Sequence, residues 1–420
     1  MNIRRAGIIL SPDKRKVLLR AFEPGQFERK IKIINRVLNL TEHEVADELE
    51  KVWANFSNRH KRIDQFFLNR FEQMKKYGKQ LEKISDNRKY LIGAYFSHEY
   101  SLECSALFNP SMIWHPDQSN LQLNKKRFIL SLRATGEGHI SSLVFRGGTI
   151  DNNNKIELDP VSKYAEMPKI TIISEGLYEA KFNPEDDLSE RTLFPQLSTE
   201  SNGIEDARFV KFIDEDGGGI YYATYTAYDG HSITTQLLQT TDFLNFKIEK
   251  MNGSEIQNKG MALFPKKING NYIMLSRQDN ENNYIMFSDD IYKWESKRLF
   301  MEPMYSWEFF QIGNCGSPIE TEKGWLCFSH GVGAVRQYTI GAFLLDKNDP
   351  SKLIGRLKEP LLIANEDERE GYVPNVVYTC GGVVNGNDLI FPYAMSDYTS
   401  SFAVVDLSEL LDDLTGDRTG

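Results

Sequence analysis

A β-patterned unit recurs along the C-terminal two-thirds of this 420-residue chain: an apolar strand, a Gly/Asn turn, then an aromatic-rich strand ending on a polar residue. It reads ALFPKKINGNYIMLSRQD from Ala262, GSPIETEKGWLCFSHG from Gly316 and VPNVVYTCGGVVNGNDLIFPYAMSD from Val373, with looser copies from Leu107 and Asp206. Pro265, Pro318 and Pro374 are 53 and 56 positions apart, and Arg277 and His330 each follow their proline by 12. A fixed period of this size in strand-like sequence predicts the blades of a β-propeller, an all-β fold. A hairpin brings the start of its first strand and the end of its second to the same end. Polar residues far apart in the chain are therefore expected around one mouth.

The region before the repeats reads differently. Gly7 to Leu10 and Val17 to Phe22 are expected as short strands, and a helix is expected over residues 41–78. Val45, Leu49, Val52, Trp53 and Phe56, then Ile63, Phe66, Phe67, Phe71 and Met74, recur at helical spacing. Thr41 and Glu44 have the spacing of a capping box. The apolar stripe is expected to pack on the β-domain or on a second copy of the chain. The division is thus a mixed, helical extension over residues 1–88 and a propeller over 89–420.

A formal charge of −9 argues against a general nucleic-acid surface, which needs clustered excess Lys and Arg. No apolar run approaches the roughly 20 residues of a membrane span. The four cysteines lack metal-like spacing and three lie in or next to strand-like runs, so reduced thiols in the cytoplasm are expected, with no metal.

Candidate chemistry lies at the hairpin ends. Strand-one starts carry Asn109, Glu205, Asp206, Lys259, Asn314 and Asn375; strand-two ends carry Arg133, Tyr225, Arg277, His330 and Asp397. Each alone reads as a turn cap or solvated charge, but their recurrence in phase with the repeat favours a site. Carboxylates beside cations, with Tyr225, Tyr228 and Trp307 as stacking surfaces, suit a polyhydroxylated or phosphorylated ligand.

The series GIEDARF (203–209), YTAYDG (225–230), ALFPKKINGNYIMLSR (262–277), GWLCFSHGV (324–332), Tyr338 with GAFLLDKNDPSKLIGR, GYVPNVVYTCGG (371–382) and YAMSD (393–397) resembles, in the same order, the motifs of glycoside hydrolase family 130, mannoside phosphorylases and a few mannosidases. The match runs over roughly residues 100–407, and the N-terminal extension and the SLRATGEGHISSLVFR segment mark a divergent branch. The resemblance implies five blades around a central depression, with Asp206 as sole catalytic acid, although Ala207 replaces the usual Pro. It implies that Asn109, Arg133 and Asp397 hold the mannosyl unit, and that Lys259, Arg277, His330 and Tyr338 bind inorganic phosphate as co-substrate. Gly260 replaces the Asn or Asp common at its position.

Chemistry separates the remaining readings. An inverting hydrolase needs a second carboxyl roughly 6.5–9.5 Å from the acid to activate water. A phosphorylase needs the acid alone, with cations to hold the phosphate. The sequence offers Asp206 and several cations, which favours phosphorolysis of a β-mannoside to mannose 1-phosphate. A β-mannosidase using Glu308, Glu366, Glu368 or Glu370 as base, and a non-catalytic glycan-binding propeller, are the alternatives. Glu205 is expected to orient Arg208 or the sugar, because neighbouring strand residues face opposite ways, and Glu205, Arg208 and Tyr228 are expected among the substrate-binding residues.

Overall fold

Alternating and fully apolar strand patterns fold the β-rich part of the chain into five antiparallel meanders. The computed structural model describes residues 2–416. The first meander is Ala106–Trp114, Lys125–Thr135 and Ser141–Asp151, edged by Ile156–Leu158. Gly203–Ile213, Gly219–Tyr228, Ile233–Thr240 and Asn245–Lys250 make the second. The third runs Ala262–Leu263, Tyr272–Ser276, Asn283–Ser288 and Lys297–Met301. Gln311–Asn314, Trp325–Val332, Tyr338–Leu345 and Leu353–Arg356 form the fourth. The fifth joins Val377–Tyr378, Asp388–Met395 and Thr399–Asp406 to the distant strand Ile3–Arg5.

Backbone contacts link each meander to the next. Gly203 bridges Ser141, Ile213 N–H donates to Pro265 O at 2.8 Å, Ile312 N–H to Glu281 O at 2.9 Å, and Tyr338 N–H to Asn375 O at 3.1 Å. The fifth meander returns to the first: Cys380 N–H donates to Pro110 O at 2.8 Å and Leu107 N–H to Tyr398 O at 2.9 Å. Large side chains fill the spaces between sheets, among them Trp294, Trp325, Phe328 and Phe391, all fully buried. The Asn269-Gly270 turn holds both residues left-handed, as a two-residue hairpin requires.

The sequence repeat is only partly in phase with these strands. Pro265 and Pro318 follow the first strands of their meanders, but Pro374 precedes Val377–Tyr378. The 12-residue offset therefore marks equivalent positions in the third and fourth meanders, whereas the third proline is not equivalent.

Residues 2–12 belong to the β-rich unit with 103–161 and 167–416, and residues 13–102 with 162–166 make a smaller unit. Compactness thus divides the chain at 102/103, where the sequence suggested 88/89. Val17–Ala21 pairs with Ser97–Ser101, and four helices, Phe27–Leu38, Glu42–Phe56, Ile63–Met74 and Asp86–Tyr95, fill this smaller unit. The single helix expected over 41–78 is two, because the SNRHKR segment between them has no apolar side chain to bury. The capping box forms: Thr41 Oγ1 accepts from Glu44 N–H at 3.2 Å, and Glu44 accepts from Thr41 N–H at 2.7 Å. Val45, Leu49, Phe67, Phe71 and Met74 are buried within this unit, so the stripe largely fills the core of its own unit. The extension is therefore a mixed unit, and its first strand belongs to the fifth meander. No helix among the described residues is long and apolar enough to cross a membrane.

Candidate active site

Bulges place the two residues at the centre of the site. In the first strands of the first and second meanders the register shifts between Phe108 and Ser111 and between Glu205 and Arg208. Each bulge holds one non-glycine residue left-handed, Asn109 at φ 48° and Asp206 at φ 53°. A bulge re-aims a side chain off the sheet's alternation, and here both turn into one cavity. Asn109 Nδ2 donates to Asp206 Oδ1 at 2.7 Å, and Arg133 Nη1 lies 3.4 Å from the same oxygen. Arg133 Nη2 donates to Glu205 Oε1 at 2.7 Å, and Lys259 Nζ is 3.9 Å from Glu205 Oε2. Glu205 thus faces the same guanidinium as Asp206. The expected alternation fails at the bulge, and Glu205 orients Arg133 instead of Arg208.

The cavity is about 260 Å³, and its lining includes Asn109, Arg133, Asp206, Lys259, Arg277, His330, Arg336, Tyr338 and Asp397. Four cations face two carboxylates there, leaving two positive charges in excess. Arg277 Nε and Asn109 Oδ1 are buried without a hydrogen-bond partner, and such atoms on a cavity wall are positions for a ligand to satisfy.

Charge is distributed unevenly between the carboxyls. Burial disfavours the Asp206 charge, but Arg133, Arg208, Lys259 and the Asn109 amide outweigh it and hold Asp206 below the usual carboxylate range. Burial, reinforced by the charge on Asp206, pushes Asp397 up to about 6. His330 is buried, and burial together with Arg277, Arg208 and Lys259 holds its pKa well below that of a free imidazole. It is therefore neutral, stacked on Tyr338 at 5.9 Å, with Nε2 3.4 Å from Arg277 Nη1. His330 is therefore not one of the cations of the cavity, because burial and the positive charges around it exclude a further proton.

The sequence profile described as beta-1,4-mannooligosaccharide phosphorylase (Glyco_hydro_130) matches residues 166–415. The chain is 35% identical over 230 residues to a 1,2-beta-oligomannan phosphorylase of Thermoanaerobacter sp. strain X514, covering 53% of this chain and 75% of that protein. The chain belongs to glycoside hydrolase family 130. A beta-1,2-mannobiose phosphorylase of the same organism is 33% identical over 279 residues, covering 64% of this chain and 86% of its own length. Among solved structures, the beta-1,2-mannobiose phosphorylase of Listeria innocua in complex with beta-1,2-mannobiose aligns with a TM-score of 0.53 and 23% identity, over 75% of this chain and 93% of that one.

Within this family-130 chain, some expected residues stand apart from the cavity. Arg208 lies behind it, fully buried, donating to the carbonyls of Cys315 and Asp206 and to the Tyr378 hydroxyl. So held, Arg208 does not line the cavity, and its charge helps to hold Asp206 low. The Tyr228 hydroxyl donates to Gly230 O at 2.9 Å, and the buried Tyr225 hydroxyl donates to Glu200, so neither lines the cavity. Trp307 packs against Gly331 and Gly341 and donates to Lys358 O, a structural role. Asn314 Nδ2 donates to Gly260 O at 2.6 Å and supports the wall.

The alternative bases are occupied elsewhere. Glu308 is buried against Arg356 and accepts from the backbone of Met304 and Tyr305. Glu368 accepts from Arg5 Nε at 2.8 Å and from the Tyr393 hydroxyl. Glu366 and Glu370 are exposed and do not line the cavity.

The missing side chain at Gly260 also has a structural reason. Its φ is +91°, and a Cβ there would lie 2.6 Å from Arg277 Nε. Glycine gives Arg277 its place. Residues that the sequence reading missed are Arg336, His139, Tyr372 and Tyr378, all on the cavity wall. Among the described residues no three His, Cys, Asp or Glu side chains group as metal ligands.

Proposed function

We propose that this chain is an inverting β-mannoside phosphorylase, cleaving its substrate with inorganic phosphate to give mannose 1-phosphate. The observation that carries this reading is the make-up of the cavity wall: one bulge-held carboxyl, Asp206, four cations against two carboxylates, and among the described residues no glutamate lining it as a base. The phosphorylase names of the relatives at 33–35% identity point the same way.

In this reading the five meanders are five blades closed into a ring, supported by the hydrogen bonds that run from the last meander to the first. Asn109, Arg133 and Asp397 hold the mannosyl unit. Lys259, Arg277, Tyr338 and neutral His330 hold phosphate, with Lys259 and Arg277 supplying charge and His330 a ring N–H or lone pair. Asp206 supplies the proton to the leaving sugar, directly or through a hydroxyl. The free site keeps Asp206 ionised, so a phosphate dianion beside Lys259 has a second effect. It offsets the cations that depress Asp206, and the acid gains its proton as the nucleophile arrives. The helix-rich unit is the addition of a divergent branch, and the four free cysteines suit a reducing, cytoplasmic setting.

Asp397 carries the second reading. A cavity carboxyl pushed up to about 6 has the pKa of a general base, which would suit hydrolysis. Incubation of β-1,2- and β-1,4-mannobiose with and without phosphate separates the two. Phosphate-dependent mannose 1-phosphate supports phosphorolysis. Phosphate-independent release of mannose overturns it in favour of the hydrolase.

A further inference from the structure

A second cavity, of about 320 Å³, lies at the other end of the strands that carry the site. In the first strand of the first meander, Phe108 and Asn109 line the cavity of Asp206, and Trp114, at the strand's end, lines the second one. The second meander repeats this order with Asp206 and then Phe209, and the fifth with Tyr378 and then Val383. Pro265 and Pro318, just past the first strands of the third and fourth meanders, complete the wall. All five meanders contribute, and the two cavities share no lining residue. Asp206 and Phe209 are three residues apart, about 10 Å of strand.

Close backbone packing separates the two chambers. A Cβ on Gly316 would lie 2.5 Å from Gly381 Cα, so only bare backbone lets the fourth and fifth meanders approach this closely. Beside them the buried Ser111 Oγ accepts from Phe209 N–H at 3.1 Å, tying the first meander to the second. At the same level the Arg208 guanidinium joins the carbonyls of Asp206 and Cys315. The second cavity is thus a chamber of its own and not a deeper part of the first.

Its chemistry is also its own. Only Lys211, Ser317 and Glu320 bring a hydroxyl or a charge to the wall; the rest is Trp, Phe, Pro, aliphatic side chains and glycine. Glu320 is neutralised by Lys266 at 2.7 Å and Lys347 at 3.3 Å. The Lys211 ammonium lies 6.0 Å from the centre of the Tyr221 ring and pairs with no carboxylate among the described residues. Ser317 is 7% exposed, and its Oγ has no hydrogen-bond partner. A buried hydroxyl left unsatisfied on a cavity wall calls for a ligand atom, and an unpaired ammonium calls for an anion. A sugar would need many more polar partners than this wall offers. We propose that the second cavity binds a small apolar carboxylate, its hydrocarbon body against Trp114 and the two prolines, its charge paired with Lys211 and one polar atom hydrogen-bonded to Ser317.

Calorimetry at pH 7 with phenylacetate as the probe, and the neutral phenylacetamide of the same shape beside it, tests this without recourse to turnover. Wild type is expected to bind phenylacetate with a Kd of about 1 mM or below and the amide at least about tenfold more weakly. Lys211→Met keeps the apolar stem of an exposed side chain and removes the charge. It is expected to raise the Kd for phenylacetate roughly tenfold to a hundredfold and to abolish the preference over the amide. Ser317→Ala breaks no hydrogen bond within the chain, so it is expected to melt no lower than wild type while weakening phenylacetate about threefold to tenfold. Saturating mannose and phosphate are expected to leave the titration unchanged, since they belong to the other chamber. Absence of binding at ten times the expected Kd, equal affinity for acid and amide, an unchanged Kd in either variant, or displacement by mannose or phosphate overturns the proposal.

Discussion

Asn109 and Asp206, 97 positions apart, meet through a 2.7 Å hydrogen bond, and each occupies a left-handed position in a bulge of the first strand of its meander. The contact joins neighbouring meanders at the point where the proposed acid sits. It leaves Asn109 Oδ1 unsatisfied and free for a sugar hydroxyl, while its amide hydrogen steadies the carboxylate. Asn and Asp tolerate left-handed backbone better than most side chains. The geometry therefore selects the two residue types that also suit the chemistry.

Asp206→Asn keeps the size and the left-handed tolerance and removes the proton. It is expected to lower kcat by about two to four orders of magnitude while leaving mannose binding by calorimetry within a few-fold. Near-wild-type turnover would exclude Asp206 as the acid.

Lys259→Met and Arg277→Met each remove a charge from the proposed anion site. Charge-assisted contacts contribute about 1.5–3 kcal/mol, so the KM for phosphate is expected to rise roughly tenfold to a hundredfold. Initial rates over a phosphate titration check this, and an unchanged KM removes that residue from the site.

Gly260→Ala tests the same site through the backbone. The new Cβ would collide with Arg277 Nε and sit at φ +91°. The expected outcome is a phosphate KM raised as in Arg277→Met, with melting temperature lowered by strain. A variant with wild-type phosphate affinity would show that the wall yields without moving Arg277.

Asp397 makes stability depend on pH. A carboxyl raised to about 6 in the folded chain, from about 4 when unfolded, adds stability that is fully present below pH 4 and lost as pH rises through 6. Asp206, held low, loses its contribution only below pH 4, outside that window. Asp397→Asn is expected to remove the decline between pH 4 and 6 and to exceed wild type at pH 7 by up to about 3 kcal/mol, while weakening mannose binding. Denaturant unfolding at pH 4.5 and 7 measures it.

Much of this arrangement is legible in the sequence, and the failures have local causes. Apolar alternation and NG turns mark the strands, and the 12-residue offset correctly equates Arg277 with His330. Alternation misleads at Glu205 because a bulge is invisible to a period-two count. Arg208 and Tyr228 lie at motif positions yet face supporting contacts, since a motif records residue identity and not direction. The neutrality of His330 depends on its burial and then on Arg277 and Lys259, 53 and 71 positions earlier in the chain, and emerges only when the chain folds around it. Arg336 and His139 leave a trace, three residues after a glycine that follows Arg133 and His330 by three, but only the fold brings both to the cavity wall.

Arg5→Ala addresses the strand that joins the two ends of the β-rich unit. Glu368 is buried, with Arg5 and Tyr393 as its side-chain partners. Losing the guanidinium is expected to cost about 2 kcal/mol, less than the roughly 3–5 of a fully buried pair, because Arg5 is one-third exposed. Urea unfolding of Arg5→Ala measures the loss, and restoration by Glu368→Gln in the same chain would identify the stranded carboxylate as its cause.

The pairing of Ile3–Arg5 with Ala403–Val405 has a consequence for how the molecule is made. Residues 3–5 are synthesised some 400 residues before their partners. At a synthesis rate of about 5–20 residues per second, the segment waits for tens of seconds without its sheet. Until then the strand Thr399–Asp406 does not exist, and the newest sheet emerges with an open edge. The registration of Arg4 against Val404 is then the last pairing of the β-rich unit to form, and a bulky insertion placed just ahead of residue 3 would delay that step first, leaving the four earlier meanders to form on schedule.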